Sequence, residues 1–499
     1  MSVRTLLVTT AIGTVLGTAL GLAALPAFAA GDSLVIGQIL EPVGLDPTIR
    51  SEAAIAQITL YNIYEGLTRI DETGAAGAGL ATSWTIAPDF KTVTLKLRPG
   101  VKFADGTVFD SADVKFAFER NAADGSTNKR RGYFTNMASI ATPDPLTVVI
   151  ALKQANPQFL FNMGEEVSVI VAAETAATNA DSPVGTGPYK VERWVKGDSV
   201  VLGRNAGYRD PAAAKLNRVT FKFINDASAQ VAAVLAGDVE YFPFFGSPES
   251  LAVFERDPRF EIVTGSTEGE TVLAINNKRG PLGDRRVRQA ISHALDRKEI
   301  IQGAQAGYGV PIGSHFAPHH AAYVDLTGIY PHDPVKARQL LGEAGYPEGL
   351  TLSLKLPPPP YARKSGEIIA AQLAKVGIMA RIEQVEFAQW LEGTFTQKNY
   401  DLSIIAHVEP MDIGVYANPG YYFQYDNSAF RTWMEKADSA VSPAERNRYL
   451  QEAQRLLAYD AVNGFLFQLP KITVQRKGLK GTWKNAPLFV NDLAAMSWN

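Results

Sequence analysis

Hydrophobic and polar positions alternate in two distinct registers along this chain, and each register predicts a different part of a fold. A period of two marks the stretch around residue 95: Val93, Leu95 and Leu97 oppose Thr92, Thr94, Lys96 and Arg98 until Pro99-Gly100 stops the run, which predicts a half-buried strand. Leu146, Val148, Ile150 and Leu152 repeat that pattern, and Asp110 or Ser111 opens a helix between the two strands with Val114, Ala117 and Phe118 on one face. Residues from about 76 to 184 therefore read as an antiparallel α+β insertion. Before it, Leu34 to Leu40 reads as a short buried strand, followed by the loop from Glu41 to Pro47 and a helix from about Ser51 to Gly66. After it, strands resume at Ser199 to Leu202 and at Arg218 to Ile224, where Val219, Phe221 and Phe223 alternate with polar residues.

Helical spacing dominates from about Gly269 onward. Asp284 caps a helix carrying Val287, Ile291, Ala294 and Leu295; Asp333-Pro334 opens another that ends at Gly345; Ser442-Pro443-Ala444-Glu445 reads as a capping box before Tyr449, Ala453, Leu456 and Leu457. Between these helices, Thr351 to Leu356, a helix ending at Gly377, Ile378 to Val385, a helix from Phe387 to Gln397, and Asp401 to His407 alternate as β-α-β-α-β. That order favours a parallel sheet with right-handed crossovers. Ligands of such sheets bind beyond the carboxyl ends of the strands. The rule selects the loop Val408 to Asp412, and equally Glu41, Pro243-Phe244-Phe245 and Asn276-Asn277.

The first thirty residues set the expected location. Arg4, an apolar run from Leu6 to Leu25 and Ala27-Phe28-Ala29 form the pattern of a cleaved export signal over residues 1–29. A membrane span is the rival, since Gly13, Gly17 and Gly21 fall at a helix-packing spacing, but Pro26 and the small tripeptide favour cleavage. With no cysteine in the 499 residues, neither a lipid anchor nor a disulfide framework is available, so a periplasmic protein without a lipid is expected. The remaining chain suits about three units at ~150 residues each. A net charge of −3 without a basic block argues against nucleic acid and anionic membranes as partners.

Catalytic signatures are sparse. Ser126-Thr127-Asn128-Lys129 fits an SxxK motif and Tyr416-Ala417-Asn418 loosely fits its companion, but the third element is missing, so an exported serine hydrolase is the weaker reading. His315, His319 and His320, with His332 nearby, offer imidazoles for nickel, zinc or haem iron, without carboxylates or thiolates at fixed spacing. Tyr416, Tyr421, Tyr422, Phe423 and Tyr425 follow closely on Asp412, as in a pocket that sandwiches an organic ligand, or as in core.

Several long motifs occur in a fixed order: Ala81-Thr82-Ser83-Trp84, PDFKTVTLKLRPGVKFADGT from Pro88, SADVKFAFER from Ser111, GTGPYKVERWVKGDSVVLGRN from Gly185, RRVRQAISHALDR from Arg285 and YPHDPVKARQLLGEAGY from Tyr330. Together they resemble the family 5 extracellular solute-binding proteins, the dipeptide, oligopeptide and nickel receptors of bacterial ABC importers. The resemblance implies an α/β, bilobed periplasmic-binding-protein fold of type II in its three-subdomain variant, hinged by two crossing segments near Ile262 to Thr271 and Gln468 to Gln475. On that template residues 30–75, 185–265 and 475–499 form lobe I, 76–184 its inserted subdomain, and 266–474 lobe II. It further implies no catalytic residue, no cofactor and no metal, a small organic solute as ligand, an inner-membrane ABC permease with its ATPase subunits as partners, and a monomer. A short peptide or peptide-like zwitterion is the expected solute, with nickel chelates, haem, opines and oligosaccharides as alternatives.

Peptide-binding relatives place an aspartate after the strand equivalent to Asp401 to His407, behind a Gly-Trp and before an acid-proline pair. Here Ala406-His407 and Glu409-Pro410-Met411-Asp412 stand in those positions, so the anchoring acid is Glu409 or Asp412, with Asp412 favoured because it adjoins the aromatic cluster. Arg131 and Arg363 are the candidates for a ligand carboxylate. His407, Tyr421, Tyr422, Glu41, Phe245 and Asn276 complete the expected binding set.

Overall fold

A computed structural model describes residues 31–50 and 52–499; the expected export signal lies outside them. One long sheet path joins both halves of the molecule. Its centre is a pair of crossing strands, β2 (Phe260–Ile275) and β6 (Gly464–Arg476), preceded in the chain by β1 (Ser33–Gln38) on one side. On the other side lie β3 (Leu350–Leu356), β4 (Ile378–Gln384) and β5 (Leu402–His407). β3 pairs in parallel with both β4 and β5, as the β-α-β-α-β reading requires, and β5 pairs antiparallel with β2.

β2 and β6 run antiparallel from Phe260↔Arg476 to Leu273↔Gly464, with a break in register between Ser266 and Glu270. The break sits where the pair passes from one half to the other, and a bulge there bends a strand without ending its pairing. The C-terminal segment returns to this point: Ala486 N donates to Ser266 O at 2.8 Å, and a Cβ on Gly265 would stand 1.9 Å from Lys484 O.

Separate cores fill the two halves. Ile36, Tyr64, Leu95, Ile150 and Phe221 belong to one. Leu273, Leu354, Ile369 and Ile404 belong to another, and Trp390, Tyr416, Tyr422 and Phe430 to a third beside it. A four-stranded antiparallel sheet spans Ala81 to Leu152 and contains the two expected alternating strands, at Thr92–Leu97 and Thr147–Leu152, with two more beside them. The helix Ser111–Ala122 crosses it, capped by Asp110 in a box with Asp113.

Four local expectations change. Leu146 lies outside its strand and is 37% exposed, so the inward face begins at Val148. The helix expected over residues 51–66 is Ala53–Thr59, because Leu60 is extended and Tyr61 turns to φ 62°, freeing the 62–63 carbonyls to pair with Tyr189 N and Gly187 N. The helix Pro443–Tyr459 starts where the capping box was expected, but Ser442 makes no side-chain cap and Glu445 instead accepts from Tyr449 Oη at 2.7 Å. The hairpin Thr68–Ile70 with Ala76–Ala78 straddles the expected boundary at 75/76.

Candidate functional site

A cavity of about 500 Å³ lies between the two halves. From the first half, Gln38 and Ile39 at the carboxyl end of β1, the helix residues Ala53, Ala54 and Gln57, and Phe242, Phe244 and Phe489 line it. Tyr361, Trp390, Phe395, Ile405, His407, Tyr421 and Tyr422 line the facing side. Both walls thus lie at strand ends, where backbone pairing stops and loops hold the side chains. Phe244 stacks on Phe489 with centroids 4.4 Å apart, and Phe395 meets Tyr421 and Tyr422 at 5.5 and 5.2 Å. Such walls suit an organic guest, with charge reserved for a few points.

Arg50, Glu52, Lys129 and Glu409 supply that charge. Lys129 Nζ pairs with Glu409 Oε1 across the cleft, with 29% and 13% of the side chains exposed. Arg130 Nη2 reinforces this by donating to Pro410 O at 2.9 Å, and Lys364 pairs with Glu249 at 2.7 Å farther out. Burial works against the Lys129 ammonium, but the Glu409 charge outweighs it and holds its pKa above the ordinary lysine value. Burial likewise opposes the Glu409 carboxylate, and Lys129 keeps it below the ordinary range. Both groups are therefore charged at neutral pH.

Asp412 is turned away from this cavity. Its Oδ1 accepts from His315 Nε2 at 2.6 Å and its Oδ2 from His407 Nδ1 at 2.8 Å, and it is 3% exposed. Tyr416 Oη donates to His315 Nδ1 at 3.1 Å and Tyr422 Oη to His407 Nε2 at 2.9 Å, so each ring has one donor and one acceptor assigned by its partners. Burial raises the Asp412 carboxyl, but the two imidazoles outweigh it and hold the group well below its usual range. Burial lowers His315.

Of the expected residues, the structure brings His407, Glu409, Tyr421 and Tyr422 to the cavity wall. Of the two acids expected as anchor, Glu409 lines the cavity and the favoured Asp412 does not. Glu41 accepts from Trp194 Nε1 at 3.1 Å and from Gly197 N, and lies outside the lining. Phe245 packs edge-on against Phe242 and Phe254, while its neighbour Phe244 faces the cavity. Asn276 Nδ2 is spent on Lys398 O and Tyr400 O, Arg131 binds Asp124 and the carbonyls of Ala122 and Ala123, and Arg363 also lies outside the lining. The SxxK lysine is the one held by Glu409, and Ser126 Oγ accepts only from Asn128 N at 3.3 Å, so no base stands against that hydroxyl among the described residues.

Sequence reasoning missed Trp390, Phe395, Gln38 and Phe489. Phe387 to Gln397 read as a plain helix, yet its middle is a π-helical stretch from Trp390 to Thr396, a widened turn of the kind that often presents side chains to a site. Phe489 carries no local signal, since it reaches the cavity through the return of the C-terminal segment.

Comparison with known proteins decides the class of this site. The model of bacterial extracellular solute-binding proteins, family 5, matches residues 76–431. The chain belongs to that family. This solute-binding protein is 31% identical over 375 residues to the glutathione-binding protein of Salmonella paratyphi A, covering 74% of its own chain and 72% of the relative. It is 32% identical to the counterpart of Shigella dysenteriae, covering 73% and 71%. Its fold matches a periplasmic binding protein of A. tumefaciens R10 in complex with agropinic acid, with a TM-score of 0.85 at 26% identity over 94% of this chain and 99% of that one. It also matches the dipeptide-binding protein of Pseudoalteromonas sp. SM9913 in complex with Met-Leu, with a TM-score of 0.86 at 23% identity over 94% and 100%. The solute-binding protein works by binding, not turnover. No helix among the described residues is long and apolar enough to cross a membrane.

Proposed function

We propose that this protein captures a short peptide or peptide-like zwitterion in the periplasm and delivers it, as a monomer, to an inner-membrane permease driven by its ATPase subunits. The Lys129–Glu409 pair inside an aromatic cavity carries the reading. A zwitterion entering between these groups exchanges one ion pair for two: its ammonium meets Glu409 and its carboxylate meets Lys129. The apolar walls strengthen both contacts by excluding water. The cavity volume of about 500 Å³ falls within the ~300–1,000 Å³ typical of small-molecule sites. The names of the glutathione-binding relatives support a peptide of that size.

Closure follows from the placement of the contacts. Lys129 belongs to the inserted subdomain, 76–184, of a first lobe formed by 30–75, 185–265 and 475–499, and Glu409 belongs to the second lobe, 266–474. The crossing of β2 and β6 supports a hinge there. A ligand held by both lobes has differential affinity for the closed state and shifts the population toward the form a permease accepts.

Calorimetry with reduced glutathione, dipeptides, tripeptides and neutral oligosaccharides tests this. A peptide is expected to bind with saturable affinity, and Glu409→Gln and Lys129→Met are each expected to weaken it at least ~10-fold, the scale of one charge-assisted contact. Preference for a neutral oligosaccharide, or peptide affinity untouched by both substitutions, refutes the assignment.

A further inference from the structure

Behind the cavity wall, three ligand-type atoms converge: one from each of His315, His407 and Asp412 lies within 4.8 Å of the others, and all three residues are buried. A fourth group points at them. Glu270, where the crossing strand β2 resumes pairing after its bulge, is 5% exposed, and its Oε2 has no hydrogen-bond partner while lying 4.0 Å from His315 Nε2. A buried carboxyl oxygen without a partner is destabilising and calls for a group to match it.

We infer that His315, His407, Asp412 and Glu270 form a binding site for a divalent transition metal of the zinc, cobalt and nickel class. Two imidazoles and two carboxylates are a donor set these borderline ions accept. The hydrogen-bonded separations of 2.6 and 2.8 Å to Asp412 must open by roughly half an ångström to admit an ion with bonds near ~2.0–2.1 Å. The surroundings are ready for that exchange. Each imidazole already has a tyrosine hydroxyl on its other nitrogen, Tyr416 for His315 and Tyr422 for His407, and each hydroxyl oxygen accepts the ring N–H once the proton has moved off the metal-facing nitrogen. Asn463 Nδ2 fixes Tyr416 Oη at 2.8 Å. Access runs through the cavity, because His407 forms part of its wall. The site uses neither Lys129 nor Glu409. His319 and His320 stand apart: His319 pairs with Glu268 and Gln468, and His320 packs its ring on Phe316.

Zinc(II) titrated calorimetrically into chelator-stripped full-length protein tests this, with cobalt(II) absorption as a second readout. One equivalent is expected to bind and to raise the melting temperature. Glu270→Gln is the decisive variant, because Oε2 has no partner to lose and the metal-free protein is expected to melt unchanged. Zinc affinity is expected to fall at least ~10–100-fold in Glu270→Gln and in His315→Gln, and to stay constant in the His319→Ala, His320→Ala double variant. Absence of saturable zinc binding, or undiminished affinity in Glu270→Gln, overturns the site, and the second result does so even if His315→Gln fails to fold.

Discussion

Lys471 is a buried amine on the crossing strand β6, and replacing it with methionine has a calculable consequence. The residue lies on β6, is 2% exposed, and directs Nζ to Thr473 Oγ1 at 2.9 Å and Trp483 O at 2.6 Å. Burial lowers its pKa to about 7, and the Coulombic pull of Glu72 offsets this only in part. In the unfolded chain the same group titrates at 10.5. Below pH 7 both states hold the proton, so the folded state bears the whole cost of a buried ammonium, at most about 5 kcal/mol for this shift. Between pH 7 and 10.5 the unfolded state binds more protons than the folded one, so this contribution to stability rises with pH. Lys471→Met removes the titration and the cost while forfeiting two hydrogen bonds worth about 1 kcal/mol each. The variant is therefore expected to be the more stable protein near pH 6.5, and its advantage to shrink by about 3 kcal/mol by pH 9.5. Urea unfolding of both proteins across that range measures the difference. A gap that does not change with pH refutes the reasoning, since it would mean that the folded lysine keeps an ordinary pKa.

Two further predictions concern the inserted sheet. Ile150, fully buried, is expected to cost about 2–5 kcal/mol when replaced by alanine, whereas Leu146→Ala is expected to cost under ~1 kcal/mol at its exposed position; equal losses in urea unfolding would place Leu146 back in the core. Asp110→Ala removes the acceptor for Ala112 N, 2.7 Å away, and is expected to destabilise by about 1 kcal/mol, with Asp110→Asn recovering most of it in the same assay.

Local pattern carried the inserted sheet and the parallel unit because both are built from short, regular segments. Val93, Leu95 and Leu97 are inward by strand geometry alone, and Asp284 and Asp333 cap helices through hydrogen bonds that span two or three residues. The loop after β5 was legible as part of the cavity wall because the ends of parallel strands leave backbone unpaired wherever that topology occurs. Within the loop, the choice between Glu409 and Asp412 was not legible. Two acids three residues apart have similar intrinsic chemistry, and only the positions of Lys129, more than two hundred residues away in the chain, and of His315 determine which carboxylate faces the cavity.

The residue order by itself thus determined the fold class, the family and the neighbourhood of the cleft, all of which follow from periodicity, caps and motifs read over short spans. Tertiary structure alone decided which side chains share the cleft, since Gln38, Phe489 and Lys129 reach it only through the crossing of β2 and β6 and the return of the C-terminal segment. It also decided the burial of Glu270, Asp412 and Lys471. Their charges are set by surroundings contributed from distant segments, and desolvation depends on what encloses a group rather than on its neighbours in sequence.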